Sequence, residues 1–193
     1  MMRILQGRLK GRKLAPHDPW VRPTSSYRRE MIFNRLMHAD PALDLPSCRV
    51  LDVFAGTGSL GLEALSRGAA FVTFVEPQAT TRHKLDSFLK THDLTTCTSL
   101  LACAVPHLPP CTMPPYHLCF LDAPYGQALI PPALDNLHRG HWLTPRAVLI
   151  AETDKREALP LPPFITLEHT TTKGRTHVHF MSYMPALTEE DAS

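Results

Sequence analysis

The segment LDAPYG, residues 121–126, ends an apolar run with a carboxylate, a carbonyl-presenting turn and an aromatic ring. That combination can hold a planar amine. An exocyclic amine conjugated to a base ring is a poor nucleophile because its lone pair is delocalised. Two acceptors aimed at its hydrogens favour a more pyramidal, more reactive nitrogen, and Asp122 and the carbonyl of Ala123 can supply them. Pro124 restricts the residue before it to extended geometry, which helps aim that carbonyl, and Tyr125 offers a face for base stacking. A methyl donor then needs only in-line approach. Asp, Pro and Gly are equally common in ordinary turns, so the segment gains its meaning from a second one.

That second segment begins about seventy residues earlier, where VLDVFAGTGSLGLEALSRGA (50–69) reads as strand, glycine-rich turn and helix. Gly56, Gly58 and Gly61 satisfy G-x-G-x-x-G, a pattern that nicotinamide enzymes share. Two details favour S-adenosylmethionine. Asp52 lies inside the strand end, four residues before Gly56, and the turn begins D-V-F-A-G instead of opening with glycine. A carboxylate there can take the ligand's ammonium, directly or through water. This cofactor has no pyrophosphate to cradle, so the helix N-terminus need only approach a carboxylate and a ribose, while glycine lets the backbone come close. Glu76 ends the next strand, 20 residues after Gly56, where a carboxylate can accept hydrogen bonds from both ribose hydroxyls. Phe54 and Leu60 are candidates to line the cleft, with core packing as the default for each.

The elements that must position these groups follow an α/β alternation. RVLDVF is a strand, SLGLEALSRG a helix, FVTFVE a strand and PQATTRHKLDSFLKTH a helix, with another strand near 98–101. The proline-rich 105–116 is an irregular connection before the strand HLCFLD. A helix near 127–137, a strand AVLIAE at 147–152 and strands near 164–168 and 177–183 complete the count. Two consecutive terminal strands predict an antiparallel edge on a seven-stranded, mostly parallel sheet, the methyltransferase version of the Rossmann sheet. Ahead of it, SYRREMIFNRLMH is helical, with Ile32, Phe33, Leu36 and Met37 on one side and Arg28 and Arg35 on another. RILQGRLKGRKLAP (3–16) alternates apolar and basic residues around Gly7 and Gly11, which fits a short hairpin too polar to form a core. The expected organisation is a basic extension over 1–22, a methyltransferase domain over 23–186 and a disordered tail over 187–193.

Bulk properties fit a single domain. At 193 residues and 44% hydrophobic, the chain can bury a substantial core. Its net charge of +2 conceals a division: residues 1–35 hold nine Lys/Arg against Asp18 and Glu30, +7, and the remainder holds eleven against sixteen, −5. A basic arm on a near-neutral or acidic body implies a polyanionic partner, and Arg8, Lys10, Arg12, Lys13, Arg22 and Arg28 are the candidate phosphate contacts. The five cysteines form no C-x-x-C pair, and neither a secretory leader nor an apolar run of spanning length is visible, so a cytoplasmic protein with no membrane partner is expected. Cys103 and Cys119 sit in apolar contexts and read as buried small hydrophobes. His177 and His179 share a strand face, and His138 and His141 stand at i, i+3, but neither pair has nearby thiolates or a carboxylate cluster, so no metal is expected.

With these residues in place, the chain resembles the bacterial family that methylates guanine N2 in 16S ribosomal RNA, the RsmD type. The resemblance runs through KGRKL (10–14), RPTSSYRREMIFNRL (22–36), VLDVFAGTGSLGLEALSRGA (50–69), FVEP (74–77), FLDAPYG (120–126), IAE (150–152) and KGRTHVHF (173–180). The RPTS block is the most discriminating, because generic methyltransferases lack it. The family's D-P-P-Y stands here as D-A-P-Y, and because that residue acts through its carbonyl, Ala123 should preserve the chemistry. FVEP brings Pro77 into the cofactor set. After the next strand such enzymes often carry an acid beside the adenine, where this chain reads LLACAVPHL, so Ala102 or Cys103 must leave that contact to backbone groups. The resemblance implies a class I S-adenosylmethionine-dependent enzyme, a monomer, acting on a guanine turned out of small-subunit RNA or of the assembled particle. Methylation of adenine N6 in DNA or of a protein glutamine, a nonenzymatic ribosome-assembly factor and a dinucleotide dehydrogenase are the competing readings.

Overall fold

Alternating apolar runs and glycine or proline breaks set the elements, and the computed structural model describes residues 2–14, 25–39 and 42–186. The chain divides into two units, Met1–Ala104 and Val105–Ser193. The expected tail at 187–193 and the residues Arg22, Pro23 and Thr24 of the RPTS block lie outside the described residues.

In the first unit, helix α1 (Ser26–His38) starts where the Ser25 hydroxyl accepts the Arg28 N–H, satisfying one of the donors a helix start leaves open. It buries Ile32, Phe33 and Leu36, each contributing roughly 1.5–3 kcal/mol. Met37, expected beside them, is 40% exposed. Strand β1 (Arg49–Asp52) leads through the glycine turn into α2 (Ser59–Ser66), all eight residues of which are buried. Strand β2 (Phe71–Val75), helix α3 (Ala79–Thr91) and strand β3 (Thr98–Leu101) follow. β2 pairs parallel with β1 and with β3, Phe74 facing Asp52 on one side and Leu100 on the other. This register brings the ends of β1 and β2 level.

In the second unit, β4 (Tyr116–Leu121) runs parallel to β5 (Leu143–Asp154). Between them α4 (Ile130–Arg139) begins three residues later than expected, with prolines in its first turn where their missing N–H is harmless, and buries Ile130, Ala133, Leu134 and Leu137. β5 extends four residues before the expected AVLIAE, through an irregularity opposite Tyr116–Leu118. β7 (Thr176–Tyr183) runs antiparallel to β5 and to β6 (Ile165–Lys173). The sheet has seven strands in the order β3-β2-β1-β4-β5-β7-β6, and β7 pairs antiparallel with both β5 and β6, the antiparallel edge that the two terminal strands implied.

The N-terminal segment folds back on itself through three backbone bonds: Leu14 N–H to the Met2 carbonyl at 3.0 Å, Ile4 N–H to the Arg12 carbonyl at 3.1 Å and Gly11 N–H to the Ile4 carbonyl at 2.9 Å. Its only antiparallel bridge, among described residues, joins Arg3 and Lys13. Between these paired ends the amides of Leu5, Gln6, Arg8 and Leu9 are all engaged by α2. The segment is not too polar to pack: Ile4, Leu9 and Leu14 are buried.

Candidate active site

The glycine turn is stapled by two acids of the first unit. Asp52, at the end of β1, is buried, and its Oδ2 accepts the Gly61 N–H at 2.9 Å, which ties the strand end to the first turn of α2. Glu76, just past β2, accepts the Gly56 N–H on Oε2 at 2.9 Å and the Gln78 N–H on Oε1 at 2.7 Å. Each carboxylate oxygen keeps a further lone-pair direction, so bonding to ribose hydroxyls remains compatible with this geometry. Gly58 caps α2 at φ 78°, a conformation L side chains rarely adopt, and a Cβ there would lie 2.8 Å from Leu85 Cδ1. At Gly56 the outcome is different: a Cβ would meet nothing within 4 Å, so open space lies over the turn where a cofactor's ribose and amino-acid part would sit. The donor set and this open cradle fit S-adenosylmethionine.

The remaining first-unit candidates divide. Phe54 is half-buried, while Leu60 belongs to the core at 3% exposure. Pro77 and Ala102 are exposed. Cys103 is half-buried, and burial pushes its thiol pKa up, so it is a poor nucleophile. Cys48 is more extreme, pushed up to about 11 by burial and then by Asp44. Arg82 Nη1 donates to the carbonyls of Glu76 and Pro77, both at 3.0 Å, and so holds the chain that follows Glu76.

In the second unit, Asp122 and Ala123 emerge directly after β4, with Ala123 buried and Pro124 exposed. Tyr125 is anchored through its hydroxyl, which donates to Glu152 Oε2 at 3.5 Å and pairs with Thr176 Oγ1 at 3.2 Å. The ring is thereby held at its far end. The loop beyond is held by Glu157, whose two carboxylate oxygens accept the N–H groups of Gly126 and Ala128, each at 3.3 Å. Ala128 adopts φ 47°, the left-handed region, and its bond to Glu157 offsets that strain.

Sequence reasoning missed Glu157, which stands in a polar stretch with no periodicity to mark it. It also assigned no role to Glu152 and Thr176, although both fall in segments that resemble the methyltransferase family. It missed Glu63 and Ser66 on α2; their signal was a single acid in a helix otherwise made of apolar and small residues, which implies a buried carboxylate.

Of the candidate phosphate contacts, Arg8, Lys10, Arg12 and Lys13 are exposed. Arg28, expected to face solvent, is 7% exposed. The histidines are engaged in another way: His179 bonds Thr153 and Thr170, His177 bonds Thr172, and His138 bonds Tyr183 and stacks on Phe164. Among the described residues no group of three or more metal-capable side chains occurs, and no helix is long and apolar enough to cross a membrane.

The sheet order, the glycine turn after β1 and the acid closing β2 define a Rossmann-like methyltransferase fold. An RNA methyltransferase from Salinibacter ruber, solved with S-adenosyl-L-homocysteine, shares it at a TM-score of 0.62 and 12% identity over 86% of this chain and 97% of its own. Much nearer in sequence is a solved structure from Haemophilus influenzae, with a TM-score of 0.79 and 32% identity over 95% of this chain and 98% of its own. Ribosomal RNA small subunit methyltransferase D of Haemophilus influenzae is 36% identical over 180 residues, 90% of this chain and 89% of that protein. Its Escherichia coli K12 counterpart is 34% identical over 163 residues, 84% and 79% of the two chains. The family described as conserved hypothetical protein 95 matches residues 2–182, and the chain belongs to it, the RsmD family.

Proposed function

We propose that this protein methylates the exocyclic N2 amine of a guanine in small-subunit ribosomal RNA, in the cytoplasm, using S-adenosylmethionine. The observation that carries the reading is the DAPY segment directly after β4, with Tyr125 tethered at its hydroxyl, in a chain whose relatives are named for ribosomal RNA methylation. When bound, the cofactor would supply an electrophilic methyl group and keep the electron pair of the broken carbon–sulfur bond on its sulfur. Asp52 receives its ammonium, directly or through water, and Glu76 receives its ribose hydroxyls, while Gly56 and Gly58 let the backbone approach. Phe54, Pro77, Ala102 and Cys103 complete the cofactor surroundings, the last two through backbone groups.

The chain's own chemistry lies in the amine. Asp122 and the carbonyl of Ala123 each accept one amine hydrogen, which turns the nitrogen lone pair out of conjugation and toward the methyl group. Tyr125 stacks on the base. As the new C–N bond forms the nitrogen must lose one proton, and Asp122 takes it directly or through water. Exposed Arg8, Lys10, Arg12 and Lys13 hold phosphates.

Transfer of labelled methyl groups to small subunits from a strain lacking the enzyme, followed by nucleoside analysis, tests activity, substrate and modified atom together. N2-methylguanosine is the expected product; label in another nucleoside or in protein overturns the assignment. Asp122→Ala is expected to abolish transfer while leaving cofactor binding intact, and undiminished methylation by that variant refutes the role of Asp122.

A further inference from the structure

Glu63 is an acid at the centre of α2 with 0% exposure, and the cofactor chemistry gives it nothing to do. Its carboxylate faces the N-terminal segment. Oε2 accepts the Leu5 N–H at 2.8 Å and Oε1 accepts the Gln6 N–H at 3.1 Å. Arg67 Nε donates to Oε1 at 2.9 Å, and Arg29 Nη1 stands 3.8 Å from Oε2. Arg29, itself 1% exposed, reaches back with Nη2 to the carbonyl of Arg3 at 3.0 Å. Desolvation lowers the pKa of this guanidinium, while Glu63 supports its charge.

Three residues along the helix, Ser66 repeats the arrangement. Its hydroxyl accepts the Leu9 N–H at 2.9 Å and donates to the Gln6 carbonyl, and its own carbonyl accepts the Arg8 N–H at 2.9 Å. At Gly7 a Cβ would fall 1.8 Å from the Ser66 oxygen, so only glycine allows the segment to lie this close. The segment's apolar side chains Ile4, Leu9 and Leu14 are buried, and its cations Arg8, Lys10, Arg12 and Lys13 are exposed.

A buried carboxylate is tolerated only when its acceptor directions are filled, and here two of the donors are amides of the basic arm. A basic tail acting through charge alone would need neither Glu63 nor Ser66. We propose that Glu63, assisted by Ser66, is a positioning residue for RNA: it locks the arm to α2 so that Arg8, Lys10, Arg12 and Lys13 form a rigid phosphate-docking surface. Because α2 begins at the cofactor turn, the lock sets the bearing of the RNA backbone relative to that turn. Pre-ordering the cations removes an ordering cost from binding. The inference rests on the RNA reading above.

The test uses the full chain and four measurements: binding of a mixed-sequence single-stranded RNA oligonucleotide across a salt series, S-adenosylmethionine affinity, KM and kcat for methyl transfer to unmodified small subunits, and circular dichroism for folding. Glu63→Gln makes the protein one unit more positive, so charge alone would tighten RNA binding. The lock instead requires binding to weaken about tenfold or more at low salt, with the log–log salt slope flattening by about 0.7 for each phosphate no longer neutralised. KM for the subunit rises, while kcat and cofactor affinity hold. Ser66→Ala, neutral in charge, moves the same quantities in the same direction and decides the matter alone if Glu63→Gln does not fold. RNA binding unchanged or tightened in the folded variants overturns the lock. Arg8→Ala, Lys10→Ala, Arg12→Ala and Lys13→Ala combined separate the two ideas. If they leave RNA binding intact, the arm's role in RNA recognition fails; if they weaken it and the α2 variants do not, the lock alone fails.

Discussion

Replacing Glu76 by Gln separates two jobs performed by one carboxylate. The native side chain, 8% exposed, accepts the Gly56 N–H at 2.9 Å and the Gln78 N–H at 2.7 Å on different oxygens. Glutamine has a single carbonyl oxygen, and its amide nitrogen would face the other N–H as donor against donor. A hydrogen bond to a charged group contributes about 1.5–3 kcal/mol, and a buried N–H left unsatisfied costs about 1–3 kcal/mol. A net destabilisation of about 2–3 kcal/mol follows, and at roughly 2–4 °C per kcal/mol for a chain of this size, Tm falls by about 5–10 °C. Cofactor binding is a second readout. If the ribose hydroxyls donate to this carboxylate, losing the charged acceptor removes a further 1.5–3 kcal/mol or so, about a tenfold to hundredfold weaker Kd. Thermal unfolding and titration calorimetry with S-adenosylmethionine measure the two effects independently. A lower Tm with unchanged cofactor affinity would refute the ribose role and leave Glu76 as a turn staple; an unchanged Tm would refute the staple.

Gly61→Ala places a Cβ 2.4 Å from Phe74 Cε1 and 3.0 Å from Asp52 Oδ2. The helix-propensity gain of about 1 kcal/mol is outweighed by overpacking of about 1–3 kcal/mol or more, so urea denaturation should show a net loss of stability. Tyr125→Phe keeps the stacking ring but removes the hydroxyl that joins Glu152 and Thr176; turnover on small subunits should fall while calorimetric cofactor affinity stays at the wild-type value. Burial, then His177, lowers the pKa of His179 below its ordinary 6.5. The unfolded chain therefore takes up this proton before the folded one does, so the contribution is present above about pH 6.5 and is lost as pH falls from there through the folded pKa. Urea unfolding from about pH 7.5 down to about pH 5 should show that decline, and His179→Asn should flatten it.

The strands β1 and β2 are legible in the sequence because their apolar runs close at acids, and Asp52 at the end of β1 and Glu76 just past β2 occupy the expected places, while β3 falls at the expected 98–101 with neither glycine nor acid to close it. β5 is legible only in part: Pro145 and Arg146, the latter at φ 63°, look like a loop, yet Leu143 pairs with Tyr116 ahead of them and extends the strand. Pro131 and Pro132 delay α4 by fitting its first turn, a position where proline starts a helix as readily as it ends one. Periodicity places Met37 on the buried side of α1 because the residue is apolar, whereas it lies on the exposed rim, where Arg67 Nη1 meets its sulfur at 3.7 Å. The amine-site residues are legible by type, but not the groups that aim them. Tyr125's anchors lie 27 and 51 residues away, and Glu157 lies 31 residues from Gly126, pairings that local pattern cannot encode.

The lock between the arm and α2 also carries a consequence for the order of assembly. Leu5 and Glu63 are separated by 58 residues. Closing so long a loop is entropically slow, and its reward waits until α2 exists as a helix. The contact between the arm and Glu63 should therefore form after α2 has folded. Once seated, the amides of Leu5, Gln6 and Leu9, which belong to no strand or helix, should exchange their hydrogens on the timescale of the helix that holds them.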